Sequence, residues 1–178
     1  DLVIATDPDA DRVGVVSRTA DGSFATITGN QMGALLLDYI LTAYEETGTM
    51  PPCPYAVKTI VTTELAAEIC AAHGVRMHNV LTGFKFIGEV IKDYEAKGYG
   101  TFVLGFEESY GYLKGTYARD KDAVVASMLI CEMAAYYRSI GSSIKQRLEE
   151  IYAKYGRYLN KVDSFEFPGL SGMDKMSG

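Results

Sequence analysis

The sequence is short of cysteine, of histidine and of positive charge. Its three cysteines, Cys53, Cys70 and Cys131, lie far apart, with no Cys-x-x-Cys pair and no Cys/His cluster. That spacing suggests neither a zinc site nor a disulfide framework. Free thiols in a reducing cytoplasm are the simplest reading. The two histidines, His73 and His78, have no evident partners, so surface or core roles are expected for them rather than catalysis. Lys and Arg number 17 against 23 Asp and Glu, a net charge of −6. Such a balance argues against nucleic acid as the main partner, because phosphate backbones select Lys/Arg surfaces. It does not exclude a small anionic substrate, which a few local cations can hold. No signal peptide is visible, and no apolar run is long enough to span a bilayer, so no membrane role is expected. Internal repeats and low-complexity segments are absent as well.

The remaining composition is ordinary. An apolar fraction of 48% and a charged fraction of 22% over 178 residues fit one good core, or one domain plus part of another. The chain opens on Asp1-Leu2-Val3-Ile4-Ala5-Thr6, a strand without a lead-in or initiator Met, and closes on a Gly/Ser-containing stretch. Both ends suggest a piece of a longer protein.

Hydrophobic periodicity sets the expected elements. Leu2 to Ala5 reads as a strand, and Val13 to Ser17 with Phe24 to Ile27 as a hairpin about the turn Asp21-Gly22. Helical spacing runs from Gln31 to about Glu46. Strands are then expected at Ala56–Thr62, Val75–Leu81 and Thr101–Phe106, with helices at Glu64–His73 and Phe84–Lys97 ended by Gly74 and Gly98. Two further helices, Asp122–Ser139 and Ser142–Tyr155, follow, the latter capped by Ser142 or Ser143, and Tyr158 to Phe167 reads as extended. Alternating strands and helices predict an α/β domain with a largely parallel sheet. In such folds ligands bind outside the carboxyl ends of the strands, where three polar loops fall. The α/β domain is expected over residues 29–160, residues 1–28 as the tail of a preceding domain, and 161–178 as a linker.

Chemistry concentrates in two loops. Asp7-Pro8-Asp9-Ala10-Asp11-Arg12 places three carboxylates at alternate positions just after a strand. A tight turn can direct all three inward as a hard-cation site, and Mg²⁺ suits phosphate chemistry because its remaining positions accept phosphoryl oxygens and water. Arg12 adds a planar donor suited to phosphate. An EF-hand would require Gly and Glu where Arg12 and Arg18 stand, so that reading fails. A solvated acidic turn is the plain alternative. The second loop, Gly105-Phe106-Glu107-Glu108-Ser109-Tyr110-Gly111, offers the acceptors and hydroxyls that sugar hydroxyls need. Beyond it, Arg119-Asp120-Lys121-Asp122 brings two cations to a helix start, where anions are already favoured, although a charged helix entry with a capping Asp has the same pattern. Thr82-Gly83-Phe84-Lys85, at another helix start, fits a substrate contact but on its own reads first as a plain turn.

These four motifs, in this order, resemble the α-D-phosphohexomutases, the phosphoglucomutase/phosphomannomutase superfamily. Residues 7–12 are similar to its metal loop, 105–111 to its sugar loop, 82–85 to its specificity loop, and 119–122 to the basic stretch that follows. The resemblance implies a three-layer α/β third domain with a mostly parallel mixed sheet at 29–160, the end of domain two at 1–28, and a lead toward domain four. It implies Mg²⁺ at Asp7, Asp9 and Asp11, Arg12 and Lys121 near the transferring phosphoryl group, and sugar-phosphate contacts from Gly83, Phe84, Lys85, Glu107, Ser109, Arg119 and Lys121. It also implies a phosphoserine donor and a sugar 1,6-bisphosphate intermediate. The serine loop of domain one and the phosphate loop of domain four are not in this sequence. Domains one, two and four are therefore the implied partners, and the chain alone is expected to be inactive and to bind metal weakly at best. Glucose phosphate is the favoured substrate. Phosphopentomutase, phosphomannomutase and a non-catalytic sugar-phosphate module stand as alternatives. A phosphatase of Asp-x-Asp-x-[Thr/Val] type is disfavoured by Asp11.

Overall fold

The computed structural model describes residues 2–19 and 21–161. Three antiparallel strands, β1 (Leu2–Thr6), β2 (Val13–Arg18) and β3 (Phe24–Ile27), form the first sheet in sequence order. Helix α1 (Gly29–Thr47) leads into a second sheet of β4 (Pro54–Thr59), β5 (Arg76–Val80), β6 (Thr101–Phe106) and β7 (Tyr112–Leu113). Its order is β5-β4-β6-β7; the first three strands run parallel and β7 returns antiparallel. Helices α2 (Leu65–Ala72) and α3 (Phe84–Lys97) connect the parallel strands, and α4 (Ala123–Ser139) and α5 (Ile144–Tyr155) follow. The α/β expectation with a mostly parallel mixed sheet is met.

Side-chain alternation divides the layers. From the central strand β4, Tyr55 and Val57 face α3 and pack with Phe84, Ile87, Ile91 and Phe102. Ala56 faces the other way, into the larger core of α1, α2, α4 and α5. Strand β6 keeps this division through a bulge, in which Tyr55 pairs with Phe102 but Val57 with Gly105. Val103 and Leu104 thus both oppose Ala56, both join the larger core, and Phe106 still points toward α1. The first sheet adds Val13, Val15 and Ile27 to the same core. Helix α1 is buried continuously from Met32 to Leu41, and each of its buried leucines contributes roughly 2–3 kcal/mol. The one acid in that stretch, Asp38, is met by the Arg147 guanidinium of α5 at 2.8 Å. Losing Arg147 would leave the buried Asp38 carboxylate without its counter-charge.

Several element ends shift by one to three residues from expectation, and the differences nearest the polar loops have clear causes. Helix α1 starts at Gly29 rather than Gln31, because Thr28 and Gln31 form a capping box: the Thr28 hydroxyl accepts the Gln31 N–H, and the Gln31 side chain accepts the Thr28 N–H. Strand β4 stops at Thr59 rather than Thr62; its partner β5 ends at Val80, the chain turns with Thr62 N–H donating to the Thr59 carbonyl, and the β-branched Ile60 and Val61 are left exposed. Strand β7 is two residues long and too short to read from a pattern, yet it closes the loop after β6 into a hairpin. Ser143 caps α5. Residues 158–161 hold no regular element, and the rest of the stretch expected to be extended lies outside the described residues.

Candidate functional site

The aspartate loop follows β1 directly. Its frame is the Asp7 carboxylate, whose Oδ1 accepts the N–H groups of Asp11 at 3.2 Å and Arg12 at 3.1 Å. Ala10 N–H donates to the Asp7 carbonyl, and Ala10 takes a φ of 55° to close the turn. The Arg12 N–H does most to lower the Asp7 pKa; partial burial opposes it, the Asp11 N–H reinforces it, and the net shift is downward. One carboxylate oxygen from each of Asp7, Asp9 and Asp11 lies within 4.8 Å of the others. Three convergent oxygen donors suit a hard divalent cation. The Ala123 N–H at the start of α4 donates to the Ala10 carbonyl at 3.0 Å, so α4 anchors the loop from outside.

The sugar-type loop, residues 107–111, lies between β6 and β7. Glu107 is nearly buried, and its Oε1 accepts the Gly83 N–H at 2.9 Å, joining this loop to the one that opens α3. The Glu107 N–H donates to the Gly111 carbonyl across the hairpin. Glu108 turns inward, its Oε2 within reach of the hydroxyls of Thr59 (3.3 Å) and Thr62 (3.1 Å). A Cβ at Gly29 would lie 2.0 Å from the Glu108 carbonyl oxygen, so only glycine lets α1 start this close beneath the loop.

The two loops meet. Arg12 and Gly111 form a β-bridge, and Val13 N–H donates to the Tyr110 carbonyl at 3.1 Å. Lys121 crosses the junction. Its Nζ lies 2.9 Å from Asp11 Oδ2 and 3.0 Å from Asp120 Oδ1, and 5.7 Å from the centroid of the Phe84 ring. The Lys121 stem passes where a side chain at Gly111 would stand, 2.4 Å from a Cβ built there. Burial works to lower the Lys121 pKa, but hydrogen bonds and charge from Asp11 and Asp120 outweigh it and raise it. The amine is therefore held as an ammonium at neutral pH.

The other candidates divide. Gly83 contributes its backbone N–H to Glu107. Phe84 is buried against α3's side of the sheet, and Lys85 is exposed with its ammonium over the Phe86 ring. Arg12 stays half exposed, 3.7 Å from Asp11. Ser109 sits half-buried on the loop between Glu108 and Tyr110. Arg119 is not brought to the sugar-type loop: its guanidinium pairs with Glu95 on the last turns of α3 and donates to the Ala118 carbonyl. Sequence reading gave Lys58, Thr59, Thr62 and Asn30 no role. The structure gathers all four at the turn after β4: the Thr59 and Thr62 hydroxyls reach Glu108, Lys58 Nζ donates to the Thr62 carbonyl, and Asn30 Oδ1 accepts the Thr63 N–H. Lys58 alone gave a signal, a cation amid an apolar strand.

Among the described residues no single helix is long and apolar enough to cross a membrane.

Residues 28–155 match the family described as Phosphoglucomutase/phosphomannomutase, alpha/beta/alpha domain III. The chain is 38% identical over 176 residues to the phosphoglucomutase of Staphylococcus aureus strain N315, covering 99% of this chain and 31% of that protein. It thus spans about a third of the length of the curated relatives it matches. Its fold is similar to that of a putative phosphomannomutase from Thermus thermophilus, with a TM-score of 0.65, 28% identity and coverage of 87% of this chain and 31% of that one. It is also similar in fold to an Aspergillus fumigatus N-acetylphosphoglucosamine mutase solved with GlcNAc-6P and magnesium, at a TM-score of 0.55, 14% identity and coverage of 87% and 35%. With the family match spanning most of the chain and ordered motifs gathered at one junction, this chain belongs to the phosphoglucomutase/phosphomannomutase family of the α-D-phosphohexomutase superfamily.

Proposed function

We propose that the chain is the part of a phosphoglucomutase-like enzyme that supplies its metal loop and its sugar loop. The full protein would interconvert hexose 1-phosphate and 6-phosphate through an active-site phosphoserine outside this chain and a sugar 1,6-bisphosphate. In this reading residues 1–28 close domain two, 29–160 form domain three and 161–178 lead toward domain four. One observation carries the proposal: Lys121 joins Asp11 of the aspartate loop to the hairpin that bears Glu107 and Ser109. Glucose phosphate is favoured as substrate because the Staphylococcus aureus relative named above is a phosphoglucomutase.

The oxygen set of Asp7, Asp9 and Asp11 fits Mg²⁺. Bound there, the ion would neutralise charge on phosphoryl oxygens. The chain's own residues do the positioning. Glu107, its Oε1 already fixed by Gly83, and Ser109 present an acceptor and a hydroxyl to the sugar. Lys121, held as an ammonium, neutralises charge beside the transferring oxygen, and Arg12 offers its exposed guanidinium to the phosphoryl group. Phosphoryl transfer asks for this kind of placement and charge compensation more than for covalent chemistry. Lys85, exposed on the first turn of α3, would offer its ammonium to a substrate phosphate; Arg119 would have to leave Glu95 to do so.

The test is mutase turnover of the full-length protein on glucose 1-phosphate, read as glucose 6-phosphate formed. Asp9→Asn should sharply reduce Mg²⁺-dependent turnover. Unchanged activity in that variant would sink the assignment.

A further inference from the structure

Lys58 is a fully buried cation in the middle strand of the sheet, and the proposed chemistry does not use it. Strand alternation puts its side chain on the α1 side, opposite Tyr55 and Val57. Burying an ammonium is costly unless each of its protons finds a partner. Here the Nζ donates to the Thr62 carbonyl at 3.0 Å, to the Thr59 carbonyl at 3.4 Å and to Glu64 Oε1 at 2.9 Å. The three acceptors span the end of β4, the turn after it and the N-cap of α2. The same turn carries two buried hydroxyls, Thr59 Oγ1 and Thr62 Oγ1, 2.7 Å apart. Both lie within hydrogen-bond reach of one oxygen of Glu108. Glu108 stands between Glu107 and Ser109, so whatever fixes Glu108 fixes the backbone that aims both neighbours.

We propose that Lys58, Thr59 and Thr62 form a positioning strut for the sugar loop. Lys58 pins the turn, the two threonine hydroxyls grip Glu108, and Glu108 sets the placement of Glu107 and Ser109 for the sugar hydroxyls. Lys58 and the threonines touch no substrate themselves. A carboxylate at position 108 is therefore a device for holding the loop, distinct from the sugar-facing Glu107. The inference rests on the mutase reading for its substrate.

The experiment uses the full-length enzyme and the pair Thr62→Val and Thr62→Ser. Valine keeps the shape and removes the hydroxyl; serine restores the hydroxyl. Thr62→Val should raise KM for glucose 1-phosphate about tenfold, the lower end of effects seen when a supporting hydrogen bond to a site group is lost, and Thr62→Ser should recover it. Lys58→Met should act in the same direction if it folds. A Thr62→Val enzyme with wild-type KM, or a serine variant no better than valine, would overturn the strut. Wild-type protein without mutase turnover would defeat the mutase reading instead. Calorimetric titration with glucose 6-phosphate then decides the strut: tighter binding by wild type and Thr62→Ser than by Thr62→Val supports it, while equal affinities or no binding overturn it.

Discussion

The aspartate loop and the sugar loop share a junction but are held by opposite means. The aspartate loop is framed chiefly by its own turn: Asp7 accepts two N–H groups from it and Ala10 takes a left-handed conformation to complete it, with α4 adding one bond from the Ala123 N–H to the Ala10 carbonyl. The sugar loop is held from elsewhere: by Gly83 at one acid, by Thr59 and Thr62 at the next, and by α1 packed beneath its backbone. A self-framed loop leaves its remaining carboxylate oxygens for a ligand. A loop braced by distant elements takes its geometry from residues that never meet the ligand. Damage to the first should therefore show in chemistry, and damage to the second in binding and stability.

The largest effect that would separate them is Asp9→Asn. It should cut turnover of the full-length enzyme by about two to three orders of magnitude, the scale for losing one preorganised electrostatic group, while thermal unfolding stays near wild type. A matching fall in stability would erase the contrast. Next comes Gly29→Ala, whose added carbon meets the backbone of Glu108. Overpacking of this kind costs about 1–3 kcal/mol, measurable by denaturant unfolding, and KM should rise with it. Smaller again is Ala10→Gly. Removing a Cβ from a left-handed position should stabilise by up to about 1 kcal/mol, provided the loop is framed by its own turn as described; a loss of stability would argue that Ala10 is held by packing instead. The smallest effect is a reactivity difference. Burial pushes the Cys70 thiol up to about 12, whereas Cys53 and Cys131 are exposed. At pH 8 a maleimide should label Cys53 and Cys131 and spare Cys70 until the protein unfolds. Rapid labelling of Cys70 would show that the core beneath α1 opens more readily than its packing implies.

The same contrast explains what the sequence revealed. Asp7, Asp9 and Asp11 are legible because their geometry is local: alternation within six residues after a strand is enough to converge three oxygens. Glu107 and Ser109 are legible as a motif, yet the partner that fixes Glu107, the Gly83 N–H, lies 24 residues away. Thr59 and Thr62 carry no signal at all, since their meaning comes from an acid 49 and 46 residues downstream. Arg119 shows the reverse case. A basic pair before a helix reads as an anion site, but only Lys121 is brought to the junction, because Glu95 of α3 claims the guanidinium of Arg119. The parallel sense of β4, β5 and β6 followed from alternating elements. The bulge in β6 and the two-residue β7, which shape the sugar loop, did not, because both depend on register between strands.

The central claim is that the two loops make one site through Lys121, and a double-mutant cycle tests it most directly. Asp11→Asn, Lys121→Met and the pair together would be measured in the full-length enzyme by kcat/KM on glucose 1-phosphate. Groups in contact that act as a unit lose their effect once, so the double variant should be little worse than the more damaged single variant. Losses that multiply across the two positions would contradict a shared site.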